Sequence, residues 1–295
     1  MPDPLSEALP ELAVVIPHYN DLARLEKCLG ALAPQAAAAG ARVETVVADN
    51  DSPADLEPLR AAHPWARFVT EPQKGAAAAR NRGVAETTAP FLAFLDSDCV
   101  PGPDWLATAL RLSGGAAVTG GRIDTFDETP PPRSGAEAFE TVFAFWQRSY
   151  VEQKGFSVTA NLLTSRAVFE ETGPMVVGLS EDMDWCFRAR AKGHALVYRD
   201  ELAVSHPTRQ DWPALAKKWR RTTLEGFHLN GTSASGRAKW ALRAVAVAAS
   251  GPLHLPKVLG AERLSGQEKL RGAGTLLRLR AARAGWMLGQ ALRGA

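Results

Sequence analysis

Asp96-Ser97-Asp98 directly follows the apolar run Phe91-Leu-Ala-Phe-Leu95. Alternation along an extended chain places two carboxylates one residue apart on the same side. Paired hard oxygens of this kind suit Mg²⁺ or Mn²⁺, which keeps coordination sites for water and substrate phosphates. Taken alone, the pair reads first as a solvated turn ahead of Pro101, because short motifs recur by chance. A second acidic group, Ser180-Glu181-Asp182-Met183-Asp184, taken alone is a cap followed by acidic residues in a helix's first turn, where the macrodipole favours them. Asp184 and Arg188 are four apart and fit an ion pair on that helix. The remaining candidates are Tyr19 and Asn20 after Pro17, Asp49 and Asp51 after the run 43–48, Arg80 within Ala79-Arg-Asn-Arg-Gly83, and His206.

These residues need a scaffold, and hydrophobic periodicity supplies one. Leu12 to Pro17 is a short apolar run, and Leu22, Leu25, Leu29 and Leu32 follow at helical spacing. The same alternation recurs in 43–48 then 54–62, 66–70 then 75–86, and 91–95 then 104–112. Four such units predict an α/β fold with a mixed, mostly parallel sheet flanked by helices, since parallel neighbours require crossovers. Ligands gather outside the carboxyl ends of such strands, where the candidate residues fall. Past Gly115, strands are predicted at 116–123, 156–164, 195–198 and 202–205, and helices at 135–150 and 181–193. From Asp211 onward only helical patterns remain, interrupted at 231–236 and at Gly251-Pro252. The division expected is therefore a body over 1–232 and a helical C-terminal extension over 233–295.

With 295 residues, 46% of them apolar, the chain can build a sizeable core, and disorder is excluded as its main description. A net charge of +2 argues against a nucleic-acid partner. The charge is uneven, however: eleven Lys and Arg face only Glu262 and Glu268 from Ser235 onward. Cys28, Cys99 and Cys186 have no paired spacing, which fits neither disulfides nor zinc and points to a reducing cytoplasm. The stretch Met1 to Leu12 lacks the pattern of a secretory leader. The longest uncharged tail segment, Ala244 to Pro256, has thirteen residues, short of the about 20 a membrane-spanning helix needs.

Val15-Ile-Pro-His-Tyr19-Asn20, Glu44-Thr-Val-Val-Ala-Asp49-Asn-Asp51-Ser52, Lys74-Gly75 with Ala79 to Gly83, the Asp96/Asp98 pair, Asn161 to Gly173, Glu181-Asp182-Met-Asp184 with Arg188, and His206-Pro207 occur in one order. In that order they resemble glycosyltransferase family 2, inverting nucleotide-sugar transferases of the GT-A fold, over roughly residues 11 to 230. The resemblance implies a metal-dependent, hexosyltransferase-type enzyme of polysaccharide or glycoconjugate synthesis. Its donor would be a nucleotide-diphosphate sugar, a UDP-sugar foremost, and its acceptor a saccharide, free or lipid-linked. It implies Asp182 as catalytic base and Asp98 as metal ligand, with His206 as a third ligand found in some members. Pro17, Tyr19, Asn20, Asp49, Arg80, Asp96 and Ser97 would hold the donor. Trp185 and Asn161, with Glu181, read either as an acceptor platform, since aromatic faces pack on apolar sugar faces, or as core. Asp51 stands where the family often has Gly, and it also reads as a turn residue. Two other readings stand beside this one: a metal-dependent nucleotidyltransferase, and a scaffold that kept the fold and lost catalysis.

In the tail, Lys217, Lys218, Arg220 and Arg221 surround Trp219 and suit either a phosphate partner or solvent. Leu270, Ala273, Leu277, Ala281, Ala284, Leu288 and Leu292 form a helical stripe, while Leu276, Leu279 and Trp286 fall outside it. That pattern favours a helix lying on an anionic membrane, peripheral on the inner face, over one packed on the protein or in a dimer.

Overall fold

The computed structural model describes residues 9–294, so most of the stretch read above for a leader, residues 1–8, lies outside the described residues. The chain forms two compact units. The first comprises the chain up to Asp124, Trp146–Val177 and Glu181–His206; the second comprises Thr125–Phe145, Gly178–Ser180 and the chain from Pro207.

The first unit is built on strands β1 (Leu12–His18), β2 (Val43–Asp49), β3 (Arg67–Thr70) and β4 (Phe91–Leu95). Helices α1 (Leu22–Ala39), α2 (Glu57–Ala62), α3 (Ala76–Ala85) and α4 (Trp105–Leu112) accompany them, with a two-residue strand β5 (Val100–Pro101) before α4. β1 pairs in parallel with both β2 and β4, and β2 in parallel with β3. Every residue of β1 is buried, which is why its sequence is continuously apolar rather than alternating. Helix α1 buries Leu25, Cys28, Leu29 and Leu32 along one stripe and starts at Asp21, whose side chain accepts from the Arg24 N–H.

The far half of the sheet is antiparallel, so the expectation of a mostly parallel sheet holds only for β3-β2-β1-β4. Strand β6 (Val118–Phe126) leads into α5 (Gly135–Phe143), α6 (Gln147–Ser149) and a π-turn at 150–154. The chain returns as β7 (Asn161–Ser165), antiparallel to both β4 and β6. Then follow α7 (Arg166–Thr172), α8 (Glu181–Ala191) and β8 (Leu196–Pro207), giving the order β3-β2-β1-β4-β7-β6-β8-β5. Residues 196–207 form one strand rather than the two predicted, because the intervening Arg199-Asp200-Glu201 is an exposed part of it, not a turn.

In the second unit, α9 (Trp212–Asn230), α10 (Ala234–Leu259) and α11 (Gly266–Arg293) join α5. The boundary expected near 232 falls between α9 and α10, inside this unit; Leu215 of α9 shares a buried cluster with Leu276 and Leu279 of α11. Helix α10 runs through Pro252 and Pro256, both on its solvent side, where the sequence predicts a break. On α11, Leu276 and Leu279, read from sequence as lying outside the stripe, are buried with Met287 and Ala291, whereas the stripe's Leu270, Leu277, Leu288 and Leu292 are exposed. The helix is apolar on two faces, and contacts with α5, α9 and α10 select the first. Its start is fixed by a capping box at Ser265 and by the Arg133 N–H donating to Glu268 (2.8 Å). No described helix is long and apolar enough to cross a membrane.

Candidate functional site

The end of β1 and the end of β2 are tied into one edge. His18 Nδ1–H donates to Asp49 Oδ1 (2.8 Å), and its Nε2 accepts from the Asp21 N–H (3.0 Å), which fixes the proton on Nδ1. Asp49 also accepts from the Ser52 hydroxyl (2.5 Å) and N–H (2.9 Å), and Ser52 Oγ accepts from the Asn20 N–H (2.7 Å). This network holds Asn20 and Asp51 at φ of 51° and 57°. The left-handed conformation accounts for the position of Asp51 where glycine is common, since Asp and Asn tolerate it best among side-chain-bearing residues. Pro17 is buried in the ladder, whereas Tyr19 is 57% exposed with Lys74 Nζ 5.2 Å from its ring centroid. His18 and Ser52 were not singled out from sequence. A titratable residue closing an otherwise apolar strand was the available signal.

Helix α3 brings Arg80 to the sheet. Its approach depends on Gly83, where a Cβ would lie 2.5 Å from Val15 Cγ1. The Arg80 side chain is almost fully buried; it donates to Asp96 Oδ1 (2.5 Å) through one nitrogen and to Glu181 Oε1 (2.7 Å) through another. Burial opposes the guanidinium charge, but Asp96 and Glu181 outweigh it and hold the group above its ordinary range. The planar fork of arginine suits this bridge between two carboxylates. It also joins the Asp-x-Asp turn to the first turn of α8, so that Asp96 and Glu181, 85 residues apart in sequence, share one partner.

Asp96 to Cys99 is indeed a turn, closed by the Cys99 N–H donating to the Asp96 carbonyl (2.9 Å). Its carboxylates are nevertheless engaged by the protein. Asp98 Oδ2 lies 3.1 Å from Nε2 of His206, a buried residue of β8. Octahedral Mg²⁺ with arms of about 2.1 Å places neighbouring ligand atoms about 3 Å apart, so this oxygen and nitrogen fit two adjacent positions. Among the described residues, no cluster of three or more His, Cys, Asp or Glu could hold a metal. Ser97, at the turn's centre, is half-buried.

Asp182 is half-buried next to Glu181. Desolvation first, then the Glu181 charge, push its carboxyl up to about 7, against the Met183 N–H that donates to Oδ1 (2.7 Å) and the nearby Arg80. A carboxyl titrating near neutrality is placed for proton transfer at physiological pH.

Two of the three residues expected at the acceptor are structural. The Trp185 ring is fully buried, stacks on Phe169 (5.7 Å between centroids) and donates to the Gly173 carbonyl (3.1 Å). Asn161 is likewise buried: it accepts from Trp105 Nε1 (2.9 Å) and donates to the carbonyls of Arg122 (2.9 Å) and Leu202 (2.8 Å). Neither presents a free face to a sugar. Glu181 does lie with the acidic group, bound to Arg80. Asp184 and Arg188 pair as expected (2.9 Å), and Arg188 also donates to the Thr172 and Pro174 carbonyls, which braces the start of α8.

Residues 13–173 match the family profile described as glycosyl transferase family 2. Glycosyltransferase AglE of Haloferax volcanii is 28% identical over 226 residues, covering 73% of each chain. A pre-mycofactocin glycosyltransferase of Mycobacterium tuberculosis is 30% identical over 220 residues, 69% of this chain and 45% of that protein. Among solved structures, the mannosyltransferase PcManGT of Pyrobaculum calidifontis, in complex with GDP-Man and Mn²⁺, superposes with a TM-score of 0.53. That likeness has 16% identity and covers 96% of this chain and 73% of the other. The fold is thus GT-A-like, a central mixed sheet with flanking helices and a C-terminal helical extension.

Proposed function

The chain belongs to glycosyl transferase family 2, and on that premise we propose that it is a metal-dependent, inverting transferase moving a hexose from a nucleotide-diphosphate donor to a saccharide hydroxyl, free or lipid-linked. The observation that carries this reading is the Arg80 bridge, which gathers the Asp-x-Asp turn and the Glu181-Asp182 pair into a single constellation. An enzyme of this class needs donor activation and acceptor deprotonation at one centre, and separated acidic clusters could not supply both.

Tyr19 offers an exposed aromatic face for the base, and Asp49 keeps one acceptor position on Oδ2 beyond its three hydrogen bonds. Asp96, held by Arg80, would take the donor's sugar or ribose. Asp98 and His206 would hold Mg²⁺ or Mn²⁺ together with donor phosphate oxygens. When bound, the cation neutralises negative charge on the departing nucleoside diphosphate. Asp182, ionised above pH of about 7, takes the proton from the acceptor hydroxyl. Arg80 pairs with Glu181 and opposes, without cancelling, the rise that the Glu181 charge imposes on the base. The solved neighbours carry Mn²⁺ with GDP-Man in one case and with UDP and GalNAc in the other, in keeping with this reading.

Turnover of a panel of nucleotide sugars with Mn²⁺ and saccharide acceptors tests it. Release of nucleoside diphosphate, with the product's anomeric configuration inverted by NMR, is the expected outcome. Release of pyrophosphate would instead assign nucleotidyl transfer. Tight binding of nucleotide without turnover would leave only the scaffold.

A further inference from the structure

The second unit carries a feature that sugar transfer does not require. From Ser235 to Ala295 the only acidic residues are Glu262 and Glu268, and Glu268 is buried within its capping box. Helices α10 and α11 therefore present cations almost without counter-charge. Arg283 illustrates the crowding: it lies over the Trp219 ring at 4.2 Å and donates to Thr223 Oγ1 (3.3 Å). Burial, then Arg280 and Arg243, push its pKa down to about 9.

Between α9 and α11 a cavity of about 480 Å³ is lined by Arg220, Arg221, Arg293, Trp286, Leu224 and Gln290. Arg221 has Glu225 at 3.7 Å as its acidic partner; among the described residues, neither Arg220 nor Arg293 has an acidic residue within 4 Å. Gln290 Oε1 accepts from Trp240 Nε1–H (2.9 Å), which leaves its amide NH₂ as a donor. Three guanidiniums with an amide donor match a phosphate, and the indole and leucine match apolar matter next to it. On the same helix, Leu270, Leu277, Leu288 and Leu292 lie within one narrow sector, since their spacings of seven, eleven and four residues each return to nearly the same angle. Leu270 and Leu292 are 72% and 78% exposed. An open leucine stripe with Arg271 and Arg278 next to it on the helix is the composition that seats a helix in the interface of a bilayer.

We propose that the second unit docks on an anionic phospholipid surface along α11, with the exposed leucines entering the headgroup boundary on one side of the helix and a lipid phosphate entering the Arg220/Arg221/Arg293 cavity on the other. Charge complementarity selects this occupant: a neutral protein partner would gain nothing from the unneutralised arginines, whereas an anionic bilayer pairs with them and solvates the leucines.

Cosedimentation of the full chain with vesicles of phosphatidylglycerol, or of phosphatidylcholine alone, tests the proposal. Binding is expected only to the first, falling steeply between 50 and 500 mM salt as the charges are screened. Loss of one surface cation weakens such binding about fivefold, equivalent to about 1 kcal/mol, so Arg220→Gln/Arg293→Gln should bind about 25-fold more weakly. Leu270→Asp/Leu292→Asp, altered only at exposed positions, should also lose binding while melting like the parent chain. Equal binding by either double variant, or no binding to phosphatidylglycerol, overturns the proposal. So does thermal stabilisation by inorganic phosphate with no vesicle binding, which would mark the cavity as a site for a soluble anion.

Discussion

Replacing Asp182 with Asn should make the protein inactive and, above neutral pH, more stable. The Asn side chain keeps the shape and can still accept the Met183 N–H at Oδ1. It removes an ionisable carboxyl whose pKa is raised from 3.8 to about 7 in the folded protein, through desolvation and the Glu181 charge. A raised carboxyl binds its proton more tightly in the folded chain than in the unfolded one. Its stabilising contribution is therefore complete below pH 3.8 and is lost as pH rises through about 7. The full linkage is about 1.4 kcal/mol per unit, or about 4 kcal/mol over this interval, and partial exposure of the group reduces it to about 2 kcal/mol. For a protein of this size that is roughly 4–8 °C in melting temperature. Melting curves of the two proteins should converge near pH 4, diverge between pH 4 and 7, and run parallel above. Transfer by the parent chain should rise with pH through about 7, and the variant should lose at least about a hundredfold in kcat. A melting difference that does not vary with pH, or normal turnover by the variant, would refute the assignment of Asp182.

Two further predictions concern how the site is held. Arg80→Lys presents one ammonium where two separated guanidinium nitrogens now reach Asp96 and Glu181, and kcat/KM should fall about a hundredfold through misplacement of both acids; unchanged kinetics would show the bridge to be dispensable. Gly83→Ala forces a Cβ to within 2.5 Å of Val15 and should cost about 1–3 kcal/mol by overpacking, relieved when Val15→Ala is added. A stable single variant would mean that α3 can move away from the sheet.

The parallel half of the fold was legible because buried parallel strands read as unbroken apolar runs, as in Leu12 to Ile16, followed by helices with a clear stripe. The carboxylates at 96, 98 and 182 were legible through their place at strand and helix ends and through the order of the motif blocks. What was not legible depends on partners distant in sequence. Trp185 could have faced a sugar or the core, and Phe169 of the preceding helix decides for the core. Asn161 satisfies carbonyls 39 and 41 residues away, a role that no local pattern encodes. Helix α11 is apolar on two sides, so periodicity alone could not tell which side α5 and α10 would cover. The exposed Arg199-Asp200-Glu201 within β8 mimics a turn because neither strand face is covered there.

The central claim is that a cation held at Asp98 links the protein to a nucleoside diphosphate, while Asp182 acts on the acceptor alone. Isothermal titration of UDP and GDP with and without Mn²⁺ measures this link directly in the parent chain, Asp98→Asn and Asp182→Asn. Mn²⁺ should tighten nucleotide binding in the parent chain and in Asp182→Asn, and should have no effect in Asp98→Asn. Equal metal-dependent tightening in Asp98→Asn would contradict the account.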